Sequence, residues 1–307
     1  MHWEYFTENT GDFLKALTIP ENPNASNKIM SEKIFVPPIK IQGIKTKLVP
    51  VIKQNISINK NTLWLEPFMG SGVVGFNVRP ERAVFADINP HIINFYNAIK
   101  TGRITSDIVR VFLYEHGRTL ARDGEEFYYY VRERFNMYHN PLDFLFLNRS
   151  CFNGMIRFNK DYNFNVPYCH KPNRFSQAYI TKIMNQVKYI EDCLRVYNWD
   201  FTCQSFEATL ANINTDSFIY CDPPYIGRHV DYYDSWNEEN EENLRCLLYA
   251  SQNKFMLSTW NSNQYRENKY INTLWSFCRK ISCEHFYHIG AKEINRHPII
   301  EALLVNY

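Results

Sequence analysis

The sequence predicts an α/β fold: a Rossmann-like, mostly parallel sheet interrupted by an inserted, mainly helical segment. Three stretches carry that expectation. Residues Thr62 to Gly75 run from an apolar strand through a glycine-rich turn into a helix, and Val84 to Asp87 follows as a second strand ending in an acid. Ile219 to Cys221 is another apolar strand, ended by Asp222 and two consecutive prolines. Between them, from about residue 110 to 194, the pattern turns helical and then to loops rich in Asn, Arg and aromatic residues. The chain is thereby divided into an extension (1–33), a first sheet part (34–109), the insertion (110–194) and a second sheet part (195–307).

In order, residues 1–33 are polar, with Trp3, Tyr5, Phe6, Phe13 and Leu14 spaced for a short amphipathic helix before a linker holding Pro20 and Pro23. Phe35 to Pro38 is extended, Gly43 turns the chain, and a helix is expected from about Lys45 to Ile56. A cation at a helix start opposes the macrodipole, so Lys45 asks for an anionic partner; a solvated turn lysine is the competing reading. Gly70, Gly72 and Gly75 satisfy G-x-G-x-x-G, and Asp87 follows 17 residues after Gly70, where a carboxylate can take the hydroxyls of a ribose. Together they suggest an adenosine-containing ligand, with a plain βαβ unit as the alternative. Helical spacing covers Ser106 to Asn140, and Pro141 opens a further helix, Leu142 to Leu147. Phe201 to Gln204 is a strand, Ile226 to Tyr233 a loop hinged at Gly227, Glu239 to Ala250 a helix, Phe255 to Thr259 a strand and Tyr270 to Phe277 helical. His285 to His288 and Ile299 to Asn306 are paired strands around a basic loop with Lys292 and Arg296.

Composition narrows the function classes. At 45% apolar residues the 307-residue chain can bury a full core, and its net charge of +2 excludes a globally electrostatic nucleic-acid binder. The charge is uneven: Arg149, Arg157, Lys160, Lys171, Arg174 and Lys182 face one acid, Asp161, over the same stretch, as a local phosphate-contacting face would require. Eight cysteines without a Cys-x-x-Cys pair suggest reduced thiols in a cytoplasmic protein, with no metal finger. No long apolar run or signal-like start gives reason to invoke a membrane or export.

The chemistry concentrates in Asp222-Pro223-Pro224-Tyr225. A strand-end carboxylate, a rigid carbonyl and an aromatic plate suit a planar base with an exocyclic amino group: two acceptors take its protons while the ring stacks. A Pro-Pro turn with a capping Asp is the plainer reading. In the insertion, Asn and Arg, able to contact base edges, alternate with Phe and Met around Gly154, although such loops also form satisfied hydrogen-bond networks.

Pro37-Pro38 through Lys45, Glu66-Pro67-Phe68-Met69-Gly70-Ser71-Gly72, Asn148-Arg149 through Asn159, Phe164 through Pro167 and Asp222 through Tyr225 resemble, in this order, the Dam-like (D12 class) DNA adenine-N6 methyltransferases. The resemblance runs from about residue 35 to the C-terminus, and Ser150 through Arg157 and Tyr225 through Tyr232 look most like the EcoRV-type modification methylases within it. It implies an S-adenosylmethionine-dependent methyltransferase sheet with an inserted target-recognition domain. Catalysis would rest on Asp222, Pro223, Pro224 and Tyr225. The resemblance places S-adenosylmethionine against Ile41, Gln42, Lys45, Glu66, Pro67, Phe68, Gly70, Gly72, Asp87, Ser205, Phe206 and Asp222. It places double-stranded DNA against Lys40, Arg149, Phe152, Asn153, Met155, Arg157, Lys171, Arg174, Arg228, Lys292 and Arg296. It also implies a flipped-out adenine in a GAT-containing palindrome such as GATATC, a restriction-modification setting with an independently acting endonuclease, and no metal. Ile41-Gln42-Gly43-Ile44 departs from the family, which has an aromatic residue followed by Ala-Gly-Gly, so the methionine end of the cofactor is expected to be held differently.

Rival readings stay open. The glycine pattern also fits a nucleotide-dependent oxidoreductase, and the acid-proline motif a cytosine-N4 or RNA-adenine methyltransferase. A DNA-binding protein with a decayed methylase fold is opposed by the intact Asp222 to Tyr225 and Gly70 to Gly72. A cytosine-C5 enzyme needs a thiolate to attack C6, and no Pro-Cys pair occurs.

Overall fold

The computed structural model describes residues 33–211, 213, 216–226, 236–262, 267–286 and 298–307. Seven strands, β1 (Leu63–Glu66), β2 (Arg82–Asp87), β3 (Asn198–Cys203), β4 (Ser217–Cys221), β5 (Lys254–Ser262), β6 (Arg279–Phe286) and β7 (Pro298–Val305), lie in the order β3-β2-β1-β4-β5-β7-β6. Neighbours from β3 to β5 pair in parallel, and β7 inserts antiparallel between β5 and β6. The chain winds outward from β1 to β3 and then returns to lay β4 against β1. Ligands of open α/β sheets bind beyond the strand C-termini at such a reversal. Here β1 ends in Glu66 and β4 runs out into Asp222.

The period of two along each strand sorts the core onto two faces. Trp64, Phe218, Tyr220 and Leu303 pack on one side, and Leu65, Ile219, Cys221 and Leu304 on the other. Ten helices are described: α1 (Val49–Asn55), α2 (Val73–Val78), α3 (Pro90–Lys100), α4 (Ser106–Asp123), α5 (Glu125–Tyr138), α6 (Pro141–Ser150), α7 (Gln177–Val196), α8 (Phe206–Leu210), α9 (Glu238–Ser251) and α10 (Lys269–Asn272). Phe135, Phe144 and Phe146, on α5 and α6, join the same apolar cluster as Trp64. Among the described residues no helix is long and apolar enough to cross a membrane.

Several boundaries differ from the sequence expectation for identifiable reasons. The helix expected over 106–140 is two helices, because Gly124 adopts φ 59°, ψ −124°, a conformation that ends α4 and that residues with a Cβ avoid. Asn140 accepts an N–H from Leu142 to cap α6, with Pro141 supplying a preset φ at its first position. The helix expected from Lys45 begins only at Val49, leaving Lys45 in the preceding turn. The helix expected over 270–277 stops at Asn272, and β6 starts at Arg279, ahead of the strand expected from His285. The expected extension helix, the loop through Gly227 to Tyr233, and Arg228, Lys292 and Arg296 lie outside the described residues.

Candidate active site

Strand β4 is buried along its whole length, and Pro223 and Pro224, having no N–H, end its pairing immediately after Asp222. The half-buried Asp222 therefore leaves the sheet edge at the reversal between β1 and β4. Its Oδ1 lies 3.0 Å from Lys45 Nζ. The anionic partner that Lys45 calls for is thus the protein's own carboxylate. Lys45 is only 4% exposed, and its ammonium also donates to Gly43 O at 2.8 Å. Burial opposes its charge, but Asp222, Tyr225 and Glu301 outweigh burial and hold its pKa above the usual lysine value. Burial raises Asp222 in turn, and the Lys45 charge limits the rise to about 6. The ammonium sits 5.2 Å over the Tyr225 ring, whose hydroxyl donates to Glu301 Oε1 at 3.4 Å.

The glycine turn follows β1, the strand paired with β4. Gly70, at φ 49°, donates its N–H to Asp87 Oδ2 at 2.9 Å, while Asp87 Oδ1 accepts from Asn89 N at 2.8 Å. Burial raises the Asp87 pKa against these two bonds. Each oxygen spends one lone pair on the backbone and keeps another. A Cβ at Gly70 would meet the Ile41 side chain at 3.1 Å, so Ile41 packs on the turn. The other two glycines serve packing: a Cβ at Gly72 would fall 2.5 Å from Phe76, and one at Gly75 2.2 Å from Phe85.

Glu66 lies beneath the turn rather than open to it. It is 2% exposed, and its Oε2 accepts from Trp64 Nε1 and Gly75 N. Burial lifts its pKa to about 8, against the pull of those two donors. Pro67 is buried and Gln42 exposed. Phe68 stacks on Phe206 at 5.4 Å and meets Trp236 edge-on at 5.5 Å, an aromatic group beside the turn. Ser205 caps α8 through its hydroxyl.

The basic residues of the insertion separate by burial. Phe152 is half exposed, Asn153 and Lys171 are exposed, and Met155, Arg157, Arg174 and Lys40 are intermediate. Arg157 Nε donates to Asn165 Oδ1 at 2.8 Å, which fixes its guanidinium. Arg174 donates to Arg149 O and to Tyr179 Oη. Lys40 is pinned at both backbone groups by the Asn148 amide. Burial lowers its pKa, helped by the nearby Arg174 and Arg149 charges. Arg149 corrects the sequence expectation of a DNA contact: it is 3% exposed, and its guanidinium donates to Pro38 O at 2.6 Å and to Gln186 Oε1 at 2.7 Å. It is an internal strut fastening the Pro37-Pro38 segment to α6 and α7.

Sequence reasoning missed Glu301, Trp236 and the clamp of Asn148. Only Glu301 leaves a sequence signal, as the one charge in the otherwise apolar run Pro298 to Val305.

With this geometry in place, the comparisons are specific. The model of the D12 class N6 adenine-specific DNA methyltransferases matches residues 42–292. A DNA adenine methylase of Haemophilus influenzae is 34% identical over 196 residues, covering 62% of this chain and 63% of its own. One from Serratia marcescens is 34% identical over 194 residues, covering 61% and 66%. The modification methylase StsI of Streptococcus sanguinis is 25% identical across 96% of this chain and 46% of its own. The matches thus span less than two-thirds of these relatives' lengths. Among solved structures, the rRNA methyltransferase aviRa from Streptomyces viridochromogenes aligns over 90% of this chain and 88% of its own, at a TM-score of 0.37 and 10% identity, too slight a likeness to bear on the fold. On the family match, which takes in the glycine turn, the insertion and the Asp222 motif alike, the chain belongs to the D12 class N6 adenine-specific DNA methyltransferase family.

Proposed function

We propose that the chain is a site-specific DNA adenine-N6 methyltransferase that takes its methyl group from S-adenosylmethionine and acts on an adenine flipped out of a short, GAT-containing palindrome. The observation that carries this is the Asp222 carboxylate, held by Lys45 at the sheet reversal and followed by two prolines and Tyr225. S-adenosylmethionine, when bound, supplies a methyl on a positively charged sulfur. The residues present fit such a group. Lys45 with Asp222 and Glu301 sets one cation against two carboxyls, an excess of negative charge that suits a cationic cofactor. Asp87, Gly70, Phe68, Phe206 and Trp236 would hold the adenosine, and Ile41 and Gln42 flank it.

The amino nitrogen of adenine is a poor nucleophile because its lone pair is delocalised into the ring. Asp222 and the Pro223 carbonyl, by accepting its two N–H groups, draw it toward tetrahedral geometry and free that pair for attack. The new N–C bond would form as the methyl–sulfur bond breaks and leaves its electron pair on sulfur, while Asp222 stabilises the positive charge developing on nitrogen and is a base for the proton that leaves. Tyr225 offers its ring to the extruded base, and the half-exposed Phe152 a wedge for the gap. Residues 110–194 serve as the target-recognition domain, with Asn153, Met155 and Arg157 toward the bases and Lys40, Lys171 and Arg174 toward phosphates. The name of StsI favours a restriction-modification setting with a separate endonuclease. Asp222→Ala should abolish transfer of radiolabelled methyl to DNA while circular dichroism stays native. Undiminished turnover would reject the assignment. Digesting methylated plasmid with methylation-sensitive nucleases reads the site.

A further inference from the structure

β7 carries a single charged residue, Glu301, in the run Pro298 to Val305, and it is 3% exposed. Its neighbours on the same strand face, Leu303 and Val305, are part of the apolar cluster that includes Trp64 and Tyr220. A carboxyl in such a place is costly, and an apolar residue of similar size would fill it without that cost. β7 lies antiparallel to β5 with Glu301 opposite Trp260. This register brings Glu301 to the sheet edge where β4 releases Asp222.

One oxygen does two things there. Glu301 Oε1 accepts the Tyr225 hydroxyl at 3.4 Å and lies 3.9 Å from Lys45 Nζ. The lysine ammonium donates to Gly43 O at 2.8 Å, pairs with Asp222 Oδ1 at 3.0 Å and has Glu301 Oε1 at the longer distance of 3.9 Å. Without Glu301 the ammonium would be free to close further onto Asp222, and the Tyr225 hydroxyl would lose one of its partners. Both changes would disturb the groups meant to receive the target base.

We propose that Glu301 is a positioning residue of this site, bridging Lys45 and Tyr225 so that the Asp222 carboxylate and the aromatic plate keep a fixed relation. It acts through Lys45 and Tyr225 and touches no reacting atom itself. The proposal deepens the methyltransferase reading and rests on it.

Among the described residues, the titratable groups facing Asp222 are Lys45 before α1, Glu66 at the end of β1, Tyr220 and Cys221 on β4, Tyr225 after it and Glu301 on β7. Ser258 on β5 adds a hydroxyl. Of these, Glu301 is the carboxyl bearing on Asp222 through the shared lysine. The Glu301 charge raises Asp222 against the pull of Lys45, so removing it lets the Asp222 midpoint fall from about 6.

The test is made first on the ligand-free full chain, with carboxyl-labelled aspartate read by carbon NMR and the Asp222 resonance assigned through Asp222→Asn. Glu301→Gln, which keeps an acceptor for Tyr225 but not the charge, should lower the Asp222 midpoint by about half a unit or more, and Glu301→Asp should restore most of the shift. On DNA, Glu301→Gln should lower kcat about tenfold or more with KM values changed less than about threefold, the acid limb of the rate profile moving with the NMR midpoint. Should the Gln variant not fold, labelled glutamate in the unmodified chain, assigned through Glu301→Asp, serves instead. The Glu301 resonance should carry an inflection at the Asp222 midpoint, and its absence would overturn the proposal. Methyl transfer by the unmodified chain together with an unmoved midpoint and unchanged kcat in Glu301→Gln overturns the proposal alone. No transfer by the unmodified chain overturns the reading on which it rests.

Discussion

Two carboxyls, Asp222 and Glu66, sit at neighbouring strand ends and are put to different uses by their surroundings. Asp222 has Lys45 within 3.0 Å and titrates near 6, so it is ionised at neutral pH and able to accept N–H bonds. Glu66, 2% exposed with an indole and one backbone N–H for partners, is raised to about 8 and keeps its proton at pH 7. A carboxyl whose folded pKa lies above its unfolded value binds its proton more tightly in the native state. Its contribution to stability is complete below the unfolded value of 4.5 and is lost as pH climbs through about 8. Between pH 6 and 8 this group should cost the unmodified chain about 2 kcal/mol of unfolding free energy. Glu66→Gln keeps an acceptor for Trp64 and Gly75 and cannot ionise, so its urea-unfolding free energy should stay flat over that window apart from changes common to both proteins. Asp222, whose midpoint is lower, titrates in both and cancels in the difference. Parallel curves for the two proteins would mean that Glu66 is ionised in the native state and that burial does not govern it.

The glycine turn shows how one element proposed to hold a ligand also serves the core. Gly70 and Gly72, at φ 49° and 75°, make the reversal from β1 into α2, while Gly75 lets that helix lie directly on β2. A methyl at Gly75 would stand 2.2 Å from Phe85 and 2.6 Å from the Glu66 carboxyl, neither of which has room to retreat. Gly75→Ala should therefore cost about 3 kcal/mol through overpacking. Gly102→Ala is the matched control: its φ is 73°, but no atom lies within 4 Å of the added Cβ. Only backbone strain applies there, about 1 kcal/mol. Chemical denaturation of both variants checks the order, and a loss at Gly75 no larger than at Gly102 would show that close approach to Phe85 and Glu66 does not fix glycine at position 75. Local signals of this kind are readable in advance: strand, glycine turn and acid all fall in the single stretch from Leu63 to Asp87, with 17 positions between Gly70 and Asp87. The break at Gly124 was equally present in the sequence, but apolar spacing continues across it from α4 into α5 and hides it.

At the scale of the whole molecule, what sequence alone reveals falls off with the distance between partners along the chain. Asp222 and its prolines are legible because strand, acid and stop are contiguous. Glu301 shows in the sequence only as a lone charge in an apolar run, and its meaning comes from β7 lying between β5 and β6 and meeting a tyrosine 76 positions earlier. Arg149 misleads for the same reason: in a basic stretch it reads as a phosphate contact, and only the Pro37-Pro38 carbonyls, 111 and 112 positions away, make it a strut. Burial therefore divides the insertion's basic residues into separate roles, and the proposed DNA interface can be tested by that division. With a net charge of only +2, binding must draw on a few local cations, so each one counts in the salt dependence. Lys171 is exposed, and Lys171→Ala should flatten the slope of log affinity against log salt by about 0.9 while weakening all sequences alike. Arg157 is braced by Asn165, and the proposal gives it a base edge to read. Arg157→Ala should leave the slope nearly unchanged and cost about 1–3 kcal/mol of discrimination at one base pair. Binding isotherms over a salt series on cognate and singly substituted duplexes separate the two, and a fall in slope for Arg157→Ala with no change in base preference would move that residue to the phosphate side.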